Sequence, residues 1–122
     1  NLTIGSLSLS GDTNSSVIST GGSATITASS NYNVAMTNSA IATISSAVSL
    51  AGATSSVGLV VNSSDGTGVL VLNGANTYLG STTITNGTLM LGVANAVAGA
   101  IIFNGNTATL DLGGYAISLN SI

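Results

Sequence analysis

The sequence predicts an all-β chain, a parallel β-helix (β-solenoid) of about six rungs with a repeat near 20 residues. Three observations carry this. Apolar-x-apolar pairs recur at Leu7/Leu9, Ile26/Ala28, Val48/Leu50, Leu70/Leu72, Leu89/Leu91 and Leu110/Leu112, with steps of 19, 22, 22, 19 and 21 residues between pairs. Within and around the pairs, apolar and polar residues alternate with the period of two that belongs to a strand, and no helical stripe competes with it. Glycine follows most pairs within two residues, and proline is absent, as a ladder that uses every backbone N–H requires.

A rung of this length accommodates three short strands joined by turns, each stacked about 4.8 Å from the strand one coil away. Six such rungs form a rod about 29 Å long. Leu, Ile and Val then stack inward, and Ser, Thr and Asn form polar ladders outside. The chain starts already alternating at Asn1-Leu2-Thr3-Ile4. Residues 31–56 are less regular: Asn31-Tyr32-Asn33 and Asn38-Ser39 read as wider loops, and Ala40 to Leu50 as one long strand. From Thr67 on, turns are expected at Asn73-Gly74, Asn86-Gly87, Asn104-Gly105 and Gly113-Gly114, where glycine takes positive φ without steric cost. The chain ends still alternating, from Ala116 to Ile122. Residues 1–122 are read as a single solenoid domain. The alternative is a β-sandwich, whose short strands also recur every 8–12 residues.

Composition excludes several functions. Lys, Arg, His, Cys, Pro and Trp are missing, and the three acids are Asp12, Asp65 and Asp111. Charged residues make up 2% of the chain, against about 25% in ordinary soluble domains, so solubility rests on neutral Ser, Thr and Asn. Without cations the chain cannot neutralise phosphate, so no nucleic-acid partner is expected, and no polybasic patch exists for anionic lipid. Disulfides, thiolate metal sites and Lys–Asn isopeptide cross-links are chemically impossible, and trypsin has no cleavage site. The longest near-apolar stretch, Gly92 to Phe103, is too short to span a bilayer as a helix, so no membrane insertion is expected. The sequence starts without Met or signal peptide, which fits a removed leader or an excerpt of a longer chain.

One stretch carries a family likeness. Thr67 to Gly92 contains the Leu70-x-Leu72 strand, then Asn73-Gly74-Ala75-Asn76-Thr77-Tyr78, then Gly80-Ser81-Thr82-Thr83-Ile84, then Asn86-Gly87-Thr88-Leu89. This order resembles the autotransporter-associated β-strand repeat, the passenger repeat of secreted bacterial surface proteins. The resemblance is clearest over residues 67–92 and continues to 122. It implies a right-handed parallel β-helix located outside the cell. The outer-membrane barrel of such proteins does not lie within this sequence.

No chemistry stands out. With no His, Cys, Lys, Arg or Glu, a Ser or Thr nucleophile has no base, so no enzyme activity, catalytic residue or cofactor is expected. Asp12, Asn14 and Asp65 offer hard oxygen ligands for a weak Ca²⁺ site, but Asp beside Thr or Gly also caps a bend, which is the preferred reading. Asp111 is expected to point outward from a strand. Tyr78 is placed inward or at a corner, and Tyr32, Phe103 and Tyr115 are read as packing residues. Thr25-Ile26-Thr27 and Thr83-Ile84-Thr85 each place two Thr on one strand face. An ice-binding surface needs that motif on nearly every rung, so β propensity explains it better. Sequons at Asn1, Asn14, Asn62 and Asn86 are candidate glycan acceptors.

Neither end of the sequence carries a charged cap. Leu2 and Ile4 at one end and Ile117, Leu119 and Ile122 at the other are therefore expected to pair with another copy, head to tail or by strand addition. The expected function is an extracellular structural protein that self-assembles into a surface filament. The alternative is a stalk segment of an autotransporter-like adhesin passenger.

Overall fold

Thirteen short strands follow one another along the chain and stack in three parallel sheets. The computed structural model describes residues 2–5, 8–11, 15–18 and 21–118. The strands are β1 (Leu2–Ile4), β2 (Ser8–Gly11), β3 (Ser15–Ile18), β4 (Ala24–Ala28), β5 (Tyr32–Met36), β6 (Ile41–Ile44), β7 (Val48–Gly52), β8 (Leu59–Ser63), β9 (Val69–Leu72), β10 (Thr82–Ile84), β11 (Thr88–Leu91), β12 (Ile101–Phe103) and β13 (Thr109–Asp111). Sheet A holds β1-β4-β7, sheet B β2-β5-β8-β10-β12, and sheet C β3-β6-β9-β11-β13. Every pairing is parallel and joins a strand to its counterpart in the neighbouring coil. A β-sandwich would pair neighbouring strands antiparallel, so the fold is the β-solenoid. No helix among the described residues is long and apolar enough to cross a membrane.

Sheets B and C are five strands deep, and the chain makes about four complete turns. The six apolar pairs do not count coils, because they fall on all three sheets: Leu9 on B, Ile26 and Leu50 on A, and Leu70, Leu89 and Leu110 on C. The true period is read from register. On sheet C, Ser15, Ile41, Val69, Thr88 and Thr109 stack with steps of 26, 28, 19 and 21 residues. The period near 20 therefore holds only in the later coils, and the earlier ones are longer because each carries a third strand, on sheet A, with its turns.

Alternation places the core. Val34, Val61 and Ile84 stack inward on sheet B, and Leu70 and Leu89 on sheet C beside Ile44, Leu72 and Leu91. Each is buried, and burying such a side chain stabilises by about 1.5–3 kcal/mol. The ladders open at the ends: Leu2 is 54% exposed, Phe103 46% and Leu112 41%, although Phe103 continues the inward column of Ile84.

Residues 31–56 depart from the sequence reading. Asn31-Tyr32-Asn33 is not a wide loop: Tyr32 and Asn33 begin β5, and Tyr32 is buried. Its hydroxyl lies 2.7 Å from both the Ile26 and the Ala51 carbonyl and donates its one proton between them, which satisfies the polar tip inside the core. Ala40 to Leu50 is not one strand but β6 and β7 joined by a turn. There Ser45 Oγ accepts from Ala47 N at 3.1 Å and Val48 N donates to the Ser45 carbonyl, local bonds that compete with extended chain. At Asn38-Ser39, read as a wider loop, the chain makes a short turn between β5 and β6, with Asn38 at φ 55°.

Candidate functional site

The most elaborate side-chain network lies where sheet A stops. Below β7 the third side of the coil is irregular chain, and its backbone partners must be supplied another way. Asn76 supplies them. Its Oδ1 accepts from Leu50 N at 2.8 Å in the coil above, and its Nδ2 donates to the Ala96 carbonyl at 2.8 Å in the coil below and to the Gly74 carbonyl at 3.2 Å. The Leu50 carbonyl in turn accepts from Thr77 N and Tyr78 N. One buried amide thus ties three successive coils together.

Two residues further on, the Tyr78 ring is buried and its hydroxyl meets Thr82 Oγ1 at 2.7 Å, pairing two polar tips that would otherwise be orphaned in the core. Tyr32 lies beside it, ring centroids 6.4 Å apart and tilted by 52°. Burial pushes the Tyr78 phenol above its ordinary range, the Thr82 bond acts the other way, and the neighbouring Tyr32 adds to the rise. Burial also raises Tyr32. Sequence reading put Asn73-Gly74 at a turn and Tyr78 inward or at a corner, and the ring is inward. It missed Asn76, whose only signal is a polar residue at an inward phase between Gly74 and Tyr78.

The expected glycine turns divide in two. Gly87, Gly113 and Gly114 take positive φ. Gly74 and Gly105 are absent from the positive-φ set and serve close approach instead: a Cβ at Gly74 would meet the Val48 carbonyl at 2.7 Å, and one at Gly105 would strike the Thr85 carbonyl.

The remaining sequence candidates are scattered. Asp65 caps a bend: its Oδ1 accepts from Thr67 N at 3.1 Å, Thr67 Oγ1 at 2.9 Å and Ser63 Oγ at 3.1 Å. The Thr67 backbone bond, with the side-chain bonds, holds this carboxyl below its usual range. No group of three or more potential metal-binding His, Cys, Asp or Glu occurs among the described residues. Asp12 and Asn14 lie outside them, as do Asn1, Leu119 and Ile122. Asn62 is exposed on β8, whereas Asn86 is half-buried and its Oδ1 accepts from Thr107 Oγ1 at 2.9 Å. Asp111 is exposed on β13 and accepts from Gly113 N at 2.8 Å.

The Thr pairs do not form one plane: Thr25 and Thr27 are on β4 of sheet A, while Thr83 is on β10 of sheet B. Leu2 and Ile4 form the ends of β1. Residues 115–118 are not strand, and Ile117 packs against the core. There Asn95 repeats part of the Asn76 arrangement, its Oδ1 accepting from Ser118 N at 3.2 Å. Tyr115 and Phe103 are exposed, unlike Tyr32 and Tyr78. A groove of about 370 Å³ between Ser23–Thr25 and Ser46–Ser49 is lined by hydroxyls and small apolar groups, with no aromatic ring.

These features define a β-solenoid whose distinctive part is a structural bridge. The passenger-associated-transport-repeat family matches residues 65–91, the segment from the Asp65 bend through β9, the Asn76 bridge and β10 to β11. The passenger-repeat likeness of the sequence is borne out over that segment. No curated protein and no solved structure matches the chain.

Proposed function

We propose that this protein is an extracellular structural element, a right-handed solenoid rod displayed at a bacterial surface, with residues 1–122 forming one domain. The observation that carries the reading is the Asn76 bridge inside the passenger-type repeat. Its polar atoms are spent on holding coils together, with none left facing a substrate. A surface almost without charge, built from hydroxyl and amide side chains, fits a rod whose work is spacing.

Within that reading, the finer proposal is end-to-end assembly into a filament, with another copy as partner. It rests on β12 and β13, whose outer edges have no strand beyond them among the described residues and whose neighbouring apolar residues Phe103 and Leu112 are exposed. Such an edge is a template for a further strand. The competing reading is a stalk segment, in which the covering coil belongs to the same polypeptide.

Negative-stain electron microscopy over a concentration series, with intact mass, separates the two. Long uniform filaments from a subunit of 11.7 kDa support assembly, and extra mass would show glycan addition. Short rods at every concentration overturn assembly and leave the stalk. Particles with no rod shape overturn both.

A further inference from the structure

Three Asn-Gly pairs occur in the later coils, and the fold treats them differently. An Asn-Gly pair can rearrange without a catalyst. The glycine backbone nitrogen attacks the asparagine Cγ and a five-membered imide closes. The Cγ–Nδ2 bond breaks, and ammonia leaves with the proton given up by the glycine amide. Water then adds to either imide carbonyl and leaves an aspartate or an isoaspartate. The net change is amide plus water to acid plus ammonia. It needs a mobile side-chain amide, a glycine N–H free of other bonds, and access to water.

At Asn73-Gly74 access to water and side-chain freedom fail. Gly74 is buried, Asn73 is half-buried, and the Asn73 Oδ1 lies against Gly92, where no Cβ could fit. At Asn86-Gly87 one residue of the next coil holds both reacting groups: Thr107 Oγ1 donates to Asn86 Oδ1 at 2.9 Å and accepts from Gly87 N at 3.3 Å. Gly87 is buried as well. The Asp65-Gly66 pair, capable of the same cyclisation with loss of water, is tied too. Its Oδ1 takes three bonds and Gly66 N donates to the Ser63 carbonyl at 3.1 Å.

Asn104-Gly105 differs from the first pair in exposure and from the second in both exposure and bonding. Both residues are exposed, and they follow β12 directly. The Asn104 backbone is fixed by its N–H to the Ile84 carbonyl at 2.9 Å, but its side-chain amide has no hydrogen bond among the described residues, nor does Gly105 N–H. Among the described residues no threonine from another coil clasps this pair as Thr107 clasps the one above it. We infer that Asn104 is a site of spontaneous deamidation in the folded protein, the single reactive member of three like pairs. The product carboxylate adds a fourth acid to a chain that has three and no cation. It lies in the coil that also carries Asp111.

The test is to age the folded chain in mildly alkaline buffer and map the amide-to-acid mass change with a protease that cleaves at aromatic and leucine residues. Conversion at Asn104 should outrun that at Asn73 and Asn86 by roughly tenfold or more, with both acid isomers formed. In denaturant the three pairs should react at similar rates, which shows that the fold makes the difference. The Asn104→Gln variant, checked for folding by circular dichroism, should lose the fast conversion. Thr107→Val should bring Asn86 up toward the rate of Asn104. Equal conversion at all three pairs in the folded chain, or an Asn104 no faster than Asn86, overturns the proposal, and this comparison within the unaltered chain stands whether or not either variant folds.

Discussion

From β1 to β9 each coil has a strand on all three sides, whereas from Asn73 onward the sheet A side is irregular chain. The two halves bury their inward residues equally well in the middle of the stack: Leu50 and Val61 in one, Ile84 and Leu89 in the other. They differ in how the backbone on the third side finds its partners. In the upper half, β4 and β7 exchange ladder bonds over five residue pairs. In the lower half, the Asn76 side chain and two N–H groups on one carbonyl take over. The exchange shortens the coil, since a side-chain bridge needs fewer residues than a strand with two turns, and the sheet C period falls from 28 to 19 residues where it begins. What is lost is redundancy. A ladder distributes its hydrogen bonds over many residues, and the bridge concentrates them in one.

Breaking that concentration should give the largest effect. Asn76→Leu fills similar volume but leaves Leu50 N–H and the Ala96 and Gly74 carbonyls without their buried partner, a destabilisation of roughly 3–9 kcal/mol at 1–3 kcal/mol per orphaned group. Urea unfolding measures it. The counterpart in the upper half is Asn31, whose Oδ1 accepts from Gly58 N at 2.8 Å but which is itself exposed. Asn31→Ala should cost only about 1 kcal/mol, because water can replace the lost acceptor. Equal losses for the two variants would mean that the bridge is no more critical than an ordinary turn.

Next in size come the apolar columns. Leu89→Ala, in a fully buried position between Leu70 and Leu110, should cost about 2–5 kcal/mol. Leu110→Ala, one coil on and only partly buried, should cost about half as much or less, because part of its surface already meets solvent. If Leu110→Ala instead proves as costly as Leu89→Ala in the isolated chain, another strand covers β13 in solution, and the end-to-end reading gains support.

The same contrast explains how far the sequence could be read. Alternation at Leu70/Leu72 and Leu89/Leu91 sets strand and inward phase together, so parallel stacking was legible, and so was the 67–92 repeat, where motif and coil coincide. The number of coils was not. A two-residue apolar pair does not say which of three sides it lies on, and the steps from Leu9 to Ala28 and from Val48 to Leu70 each pass to another sheet. Tyr32 was misread because an aromatic between two asparagines has loop composition. Only the fold brings the Ile26 and Ala51 carbonyls to its hydroxyl. Asn76 was hidden for the same reason: its three partners are 26, 20 and 2 residues away, and a bond of that range leaves no local pattern.

Smaller effects follow from the phenols and the acid. Tyr78→Phe removes the partner of Thr82 Oγ1 in the core and should cost about 1–2 kcal/mol near neutral pH. It should also change the alkaline behaviour. Burial raises the Tyr78 pKa above the ordinary value of 10.0, so the folded state keeps a proton that the unfolded chain gives up. The stability tied to that proton is complete below pH 10 and declines as the pH climbs beyond it. Tyr32 acts in the same direction, so Tyr78→Phe should flatten the alkaline decline without abolishing it.

At the acid end the sign reverses. Asp65 is held below the ordinary 3.8 by Thr67 and Ser63, so its contribution is present above that pH and is lost as the pH falls through the folded value. Between these limits the chain has no His, Lys, Cys or Glu side chain to titrate, so its stability should be nearly level from about pH 5 to 9. Asp65→Asn should leave that plateau level and weaken the acid decline. A step near pH 6.5 in the unfolding midpoint would contradict it, because no side chain in the sequence has its ordinary pKa there. The step would then need an aspartate or the terminal amine shifted by its surroundings, and its dependence on protein concentration would show whether association at the edges of β12 and β13 causes that shift.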